Sequence, residues 1–519
     1  MTTYDAIPYP SHSYPQSSPA HLNGVAKLFG LSPVDLKTAK ILEIGCASGG
    51  NIIPLAARFP EAEFIGIDLS KTQTDMAKSK AETLELSNIK FISNSIVEHN
   101  FKREKFDYII THGVYSWVQS NVQQRILKIC GENLSKNGVA FISYNTLPGW
   151  NAVKTIRDMM LYHGQNFDDP AQKVLEARNM LKFVADNMKA ETGPYKETLE
   201  AEISMLQNVS DNYLLHDHLE AVNEPCYFHE FAAKATIQGL SYLGDADLPY
   251  MFLGNYNEKV SGTLMQMDDA VRQEQYLDFI NNRRIRMSLL VKEGAEINRN
   301  ITPERLEGLR YILNYQLAKP IDMAQLGKVE ELDLIGMRNT NLKANIKGRV
   351  TCAAVVEMLR ALPNRLNMEE TVEATSKVLA DVKHETIDQE LKGLFFEFLF
   401  KGILSITSDD VAPVAEITQQ PSVFYPAILQ GQSMDMVANL NHEMVKLSND
   451  QRLVLQYVNG KNSIEQICAY VKNHIEKDEL TLNADGKPLE PNTDNYEAHV
   501  QQYVDGALKV FAHNALLVG

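Results

Sequence analysis

Lys40-Ile41-Leu42-Glu43-Ile44-Gly45-Cys46-Ala47-Ser48-Gly49-Gly50-Asn51 decides how this chain is read. A short apolar strand runs into a glycine-rich turn, and Ile52-Ile53-Pro54-Leu55-Ala56-Ala57 then starts a helix. Glycine lacks the Cβ that would hold a ligand off the backbone, so this order brings N–H groups close to one. A second strand, Phe64-Ile65-Gly66-Ile67, ends in Asp68. A carboxylate at the end of the second strand of a doubly wound sheet can accept both hydroxyls of a ribose. A turn for one end of a nucleoside ligand and an acid for its sugar are together the strongest signal in the chain. A turn that merely packs tightly would explain neither Glu43 nor Asp68.

Two ligands fit a strand, a glycine turn and an acid. A dinucleotide site wants G-x-G-x-x-G around a pyrophosphate. Here the glycines fall as Gly45-x-x-x-Gly49-Gly50, with Glu43 before them. A carboxylate beside the turn repels a pyrophosphate but suits a ligand carrying an ammonium and a sulfonium, which is S-adenosylmethionine. The pattern E-x-G-x-x-x-G, followed by an acid after the second strand, resembles motifs I and II of class I methyltransferases.

The alternation continues. A helix is predicted from Ser70 to Leu86 with Ser70 as N-cap, a strand over Ile89–Ser93, another over Phe106–Ile110, a helix over Val122–Leu134 and a fifth strand over Val139–Ser143. Such an order builds a parallel sheet with ligands at the carboxyl ends of its strands. The third strand ends at Asn94-Ser95, where class I methyltransferases often place an acid near the adenine amine; Ser95 can still hydrogen-bond there. After the fourth strand comes Thr111-His112-Gly113-Val114-Tyr115-Ser116-Trp117, where the transferred methyl should emerge. The N/D-P-P-Y of enzymes that methylate adenine or glutamine is absent. His112, Tyr115 and Trp117 instead offer an aromatic rim for a cation or a lysine stem, or else Tyr115 and Trp117 pack the loop onto the domain.

Composition sets the outer limits. The chain has 519 residues, enough for two to four domains, with ordinary hydrophobic (44%) and charged (22%) fractions. A net charge of −16 argues against a nucleic-acid binder; it would favour encounter with a basic partner, though an acidic solvated surface is the simpler reading and the preferred one. Cys46, Cys130, Cys226, Cys352 and Cys468 are scattered, as reduced thiols in a reducing compartment would be. Met1-Thr2-Thr3-Tyr4-Asp5 has no signal-peptide character, and no apolar run is of membrane-spanning length, so a cytoplasmic protein without membrane insertion is expected. Pro8, Pro10, Pro15 and Pro19, among Tyr4, Tyr9 and Tyr14, predict an extended N-terminal segment that either closes over the ligand or trails as a tail.

Beyond Tyr144-Asn145-Thr146-Leu147-Pro148-Gly149-Trp150, helical spacing links Val174, Ala177, Leu181, Val184 and Met188, and then Leu199, Ile203 and Leu206. His216, His218 and His229 lie near acids, but His216 and His218 fall on different helix faces, and methyl transfer needs no metal, so no metal site is assigned. The runs EIGCASGGN, HGVYSW, SYNTLPGW, NYLLHDHLE, EPCYFHEF and EQYLDFINNRRIRMSLL together resemble the bacterial methyltransferases with a so-called regulatory domain. That family includes the rickettsial protein-lysine methyltransferases, and the match extends to about Leu290. The resemblance implies S-adenosylmethionine as cofactor and a protein acceptor, basic or lysine-containing, leaving its identity and the oligomeric state open. It implies Glu43 at the methionine amine, Gly45, Cys46, Ala47 and Gly49 around the methionine portion, Asp68 on the ribose, and Leu69, Ser95 and His112 as further cofactor contacts. His112, Tyr115, Trp117 and Tyr213 are the candidates for a channel that desolvates the incoming lysine.

After Asn300 two segments, Val355 to Ile406 and Leu453 to Val518, each read as short helices closing on a β-like apolar run, as winged-helix units do. Asn462-Ser463-Ile464-Glu465-Gln466-Ile467 lacks the basic residues of a DNA-reading helix, which points to protein binding or scaffolding. The expected fold is α/β: a doubly wound, Rossmann-like methyltransferase domain over 1–160, a mostly α-helical middle or regulatory domain over 161–295, and winged-helix-like units over 296–420 and 421–519. All assigned cofactor residues precede Leu290, which predicts that cofactor binding survives a cut after it. The rival functions are a small-molecule methyltransferase with a helical lid and a non-catalytic scaffold.

Overall fold

Residues 11–188, 193–207, 209–410, 413–484, 487–489, 491 and 495–518 are described by the structure, a computed structural model. Tyr4, Pro8, Tyr9 and Pro10 of the N-terminal segment lie outside them. The alternating strands and helices form as the apolar pattern requires: β1 (Lys40–Ile44), β2 (Glu63–Asp68), β3 (Ile89–Ser93), β4 (Phe106–Thr111) and β5 (Leu134–Asn145). Neighbours among these five pair in parallel. Ser70 caps the helix Lys71–Thr83, its hydroxyl accepting the Gln73 N–H at 3.2 Å.

The sheet does not stop there. β6 (Leu240–Asp245) and β7 (Ile285–Lys292) extend it to seven strands in the order β3-β2-β1-β4-β5-β7-β6, with β7 antiparallel to both neighbours. The stretch expected to be a helical middle domain therefore supplies two strands of the cofactor sheet and is not a separate body. What is wholly helical is a cap between β5 and β6, made of Trp150–Gly164, Pro170–Asn187 and Pro194–Gln207. Val174, Ala177, Leu181, Leu199, Ile203 and Leu206 close on Ile156, Met160, Leu214 and Leu215 in a small core of the cap's own.

Alternation along the strands sorts residues onto two faces. Ile41, Tyr108, Ile110, Phe141 and Leu289 join one core, and Leu42, Ile44, Ile109, Ile142 and Leu290 join the other. The second face is covered by Ser120–Asn133 and Phe228–Ile237. The first is covered by Pro19–Leu28, Ile52–Arg58 and Lys71–Thr83, and its core runs on into Leu309, Tyr311, Val355, Phe395 and Ile406. One continuous core thus joins the cofactor sheet to the unit after residue 296. At roughly 1.5–3 kcal/mol for each large side chain taken out of water, that seam binds the two halves strongly.

The C-terminal unit has its own core, including Val454, Ile467, Val471, Val504, Leu508 and Phe511. The apolar runs expected as strands are mostly helix ends. Phe398-Leu399-Phe400 finishes His384–Phe400 before the strand Leu404–Thr407, and Val510 to His513 finishes Tyr496–His513 before the strand Leu517–Val518. A short, fully buried apolar run does not reveal its period.

Candidate active site

In strand order β2-β1-β4, the connections leave β1 and β4 in opposite directions, which opens a crevice at their carboxyl ends. Glu43, Asp68, Thr111 and His112 stand along that edge. Gly45 begins the turn at φ 77°, and a Cβ there would lie 2.3 Å from Val114 Cγ2. Both the backbone and the space demand glycine. Ala47 holds φ 46°, a left-handed conformation that a non-glycine keeps only when its surroundings impose it. Asp68 supplies the restraint: Oδ2 accepts the Ala47 N–H and Oδ1 the Ser70 N–H, both at 2.9 Å. Leu69 beside it is 63% exposed, an apolar surface next to the Asp68 carboxylate. Cys46 is buried, its thiol pushed well up by burial and then by the charges of Asp68 and Glu43, so it is no nucleophile. Ser95 turns its hydroxyl onto the Val97 N–H at 3.3 Å.

Glu43 is buried, and its Oε1 accepts Asn51 Nδ2 at 2.7 Å. Burial pushes its carboxyl up to about 7, with the Asn51 hydrogen bond opposing and the Asp68 charge adding. The N-terminal segment crosses directly above. Gly50 N donates to Ser11 Oγ at 2.8 Å, Ser13 Oγ donates to Gly50 O at 3.2 Å, and Tyr14 N donates to Asn51 Oδ1 at 3.0 Å. A Cβ on Gly50 would fall 2.0 Å from Ser11 O, so this glycine serves the overlying segment. Tyr14 lies over His112, ring centroids 3.9 Å apart. Its hydroxyl is pushed up to about 12 by burial and then by Asp217 and Glu43, which places the Asp217 segment beside it.

Asp217 belongs to a π-helical turn, Leu214–His218. Leu214 and Leu215 anchor that turn in the cap's core. His218 is buried, lies 5.8 Å from the Tyr213 ring, and is pushed down to about 4 by burial and then by Arg157. Arg157 in turn stands 5.7 Å over the Trp117 ring, which meets Trp150 edge-on at 6.2 Å. His112, Trp117 and Tyr213 thus join one region roofed by the cap, with burial holding His112 down to about 4.

Tyr115 does not join them. It is fully buried on the opposite face of the sheet, edge-on to Phe231 at 5.3 Å and 5.9 Å from Tyr144. The loop is a 3-10 turn over Tyr115–Trp117, so side chains two apart leave it in different directions. His229 is likewise occupied, its Nδ1 2.9 Å from Gln275 Oε1. Sequence reasoning misses Asn51 and Asp217, and it reads Tyr14 only within the N-terminal segment and His218 only among the histidines near acids. Asn51 ends the glycine motif itself, and a polar residue at a buried helix start was its available signal.

Among the described residues, buried polar atoms without a hydrogen-bond partner include Glu43 Oε2, Thr111 Oγ1, His112 Nδ1, Asn145 Nδ2 and both ring nitrogens of His218. Each costs about 1–3 kcal/mol unless something polar meets it. Their grouping at the ends of β1, β4 and β5 and on the cap turn fits a ligand with an amine at one end and hydroxyls at the other.

Comparison with known proteins agrees with this geometry. Residues 41–138 match a methyltransferase domain, 210–292 a predicted methyltransferase regulatory domain and 419–516 the PKMT C-terminal winged helix domain. An uncharacterized protein of Rickettsia prowazekii is 38% identical over 99% of this chain and 93% of its own. Another from the same organism is 42% identical over 45% of this chain. The solved structure of PKMT2 from Rickettsia typhi in complex with AdoHcy superposes with a TM-score of 0.89 at 32% identity, covering 99% of this chain and all of that one.

Proposed function

We infer, because this chain belongs to the PKMT family of S-adenosylmethionine-dependent methyltransferases, that it methylates a lysine side chain of a protein acceptor. The observation that carries the inference is the full-length likeness to PKMT2, with Glu43 and Asp68 at the crevice. S-adenosylmethionine, when bound, supplies an electrophilic methyl carbon on a sulfonium. Glu43 Oε2 would take its amine, Asp68 its ribose hydroxyls, and Leu69 with Ser95 the adenine end. The backbone of Gly45, Cys46, Ala47 and Gly49 would line the methionine portion.

The remaining work is positioning and desolvation. A lysine reacts only as the neutral amine, and desolvation together with the Arg157 cation beside Trp117 would disfavour the ammonium. Burial keeps His112 and His218 uncharged, so neither adds positive charge beside the sulfonium or protonates the amine. Trp117 and Tyr213 would form the wall along the lysine stem, with Tyr14 above His112. The protein surface and net charge of −16 suit a basic acceptor. Among the described residues no helix is long and apolar enough to cross a membrane.

Incubation with S-adenosylmethionine labelled in its methyl group, followed by analysis of labelled proteins and small molecules from a cell extract, tests the reading. Label on protein lysines is the expected result. Label confined to small molecules would overturn the acceptor assignment.

A further inference from the structure

The C-terminal unit reaches the acid assigned to the cofactor's amine. Its hairpin joins Met436–Ala438 to Met444–Lys446. Asn439 shapes the tip, its Oδ1 accepting the N–H of Asn441 at 2.9 Å and of Glu443 at 2.8 Å. His442 is held there at φ 60°, a strained value for a residue with a Cβ. This turn buries the imidazole and sets Nε2 2.8 Å from Asn51 Oδ1.

One backbone donor fixes which way the Asn51 amide faces. The Tyr14 N–H can only donate, so the Asn51 atom it meets is the amide oxygen. Asn51 Nδ2 is then the group facing Glu43 Oε1 at 2.7 Å, and His442 Nε2 must carry a proton to bond the same oxygen. Donation therefore runs from His442 to Asn51 and from Asn51 to Glu43, leaving Oε2 of Glu43 for an incoming amine. The hairpin is tied down around this line. Leu440 packs with Phe424, Ala515 and Ala57, Met444 Sδ accepts the Ser13 N–H at 3.3 Å, and Arg365 lies 3.8 Å from Glu443. Arg58, on the helix that Asn51 begins, pairs with buried Asp409.

We propose that His442 is a positioning residue for S-adenosylmethionine, orienting Glu43 through Asn51, so that the C-terminal winged-helix unit sets the cofactor affinity of a crevice far from it in sequence. The proposal rests on the methyltransferase reading. Apolar packing would suffice to dock a hairpin; a buried donor of defined tautomer ending on the amide that orients a buried acid does more than dock.

The test is calorimetric titration of the full-length protein with S-adenosylmethionine in a double-mutant cycle. His442→Phe keeps the ring volume and loses the donor, and His442→Gln keeps an N–H. His442→Phe and Asn51→Ala are each expected to weaken binding about tenfold, the scale of one lost hydrogen bond in a buried relay. His442→Gln is expected to bind within about threefold of the native chain, since the donor is retained. With Asn51→Ala in place, His442→Phe should add no further loss, and in turnover the KM for the cofactor should rise more than kcat falls. A merely structural histidine would weaken binding equally in both backgrounds, and that additivity would overturn the proposal, as would native affinity in His442→Phe. A native chain that binds no S-adenosylmethionine would instead overturn the underlying methyltransferase reading, and this proposal with it.

Discussion

Replacing Glu43 with glutamine separates what this side chain does for stability from what it does for binding. Burial lifts its carboxyl from 4.5 to about 7. In the cofactor-free protein the fold therefore holds a proton that the unfolded chain has already lost between those values, and stability falls as pH rises through that window. At about 1.4 kcal/mol per pKa unit, the ionised carboxylate costs the fold about 3 kcal/mol above pH 7 and nothing below pH 4. Glu43→Gln keeps an acceptor for Asn51 and has no charge, so it should stabilise by about that amount at pH 8 and by little at pH 4. Binding runs the other way. Only the carboxylate pairs with an ammonium, so native affinity for S-adenosylmethionine should climb on the order of tenfold from about pH 5.5 to about pH 7, then decline as the ligand's α-amine deprotonates near about pH 8. Glu43→Gln should bind more weakly and show no rise over the lower interval. Thermal unfolding and calorimetry across this range read both effects. A native affinity that stays flat from pH 5.5 to 7, or a variant equally stabilised at pH 4 and pH 8, would refute the placement of Glu43 as a buried, titrating anchor for the amine.

Asp68→Ala should weaken S-adenosylmethionine binding by about 1.5–3 kcal/mol in calorimetry, the scale of a lost charge-assisted hydrogen bond, while the chain still folds. Trp117→Ala should lower single-turnover methyl transfer to a lysine-containing protein by about a hundredfold with cofactor affinity nearly kept, and the loss should shrink at higher pH, where more of a poorly desolvated lysine is neutral. Tyr115→Phe removes a buried hydroxyl that has no partner among the described residues, so unfolding should show a stability unchanged or raised by up to about 1 kcal/mol, with activity retained. Against the expectation that cofactor binding survives a cut after Leu290, a chain ended there should fail to fold natively, by near-ultraviolet circular dichroism and soluble yield, because the core shared with Leu309, Tyr311, Val355, Phe395 and Ile406 is left open to water.

Which parts of this protein were legible in the chain follows from the range of the forces involved. The strand, the glycine turn and the acid at Asp68 are local: a turn needing φ 77° at Gly45 and short continuous apolar runs bounded by it announce themselves within a few residues. The methyltransferase fold and its cofactor could therefore be read from Lys40 to Ser143, and Glu43 could be singled out by its charge beside a turn built for a ligand. What surrounds Glu43 could not. Asn51 is placed by the helix it begins, Tyr14 by a segment that crosses Gly50, and His442 by a hairpin 391 residues away from Asn51. Side-chain direction is equally non-local. Tyr115 and Trp117 are neighbours in an aromatic loop, yet the turn buries one among Phe231 and Tyr144 and leaves the other beside Arg157. The two strands hidden in the supposed middle domain show the same limit, because β7 bonds to β5 and β6 bonds to β7, pairings that no local pattern names. Local sequence determined the kind of ligand, and tertiary packing decided which side chains stand around Glu43, a hairpin of the C-terminal unit among them.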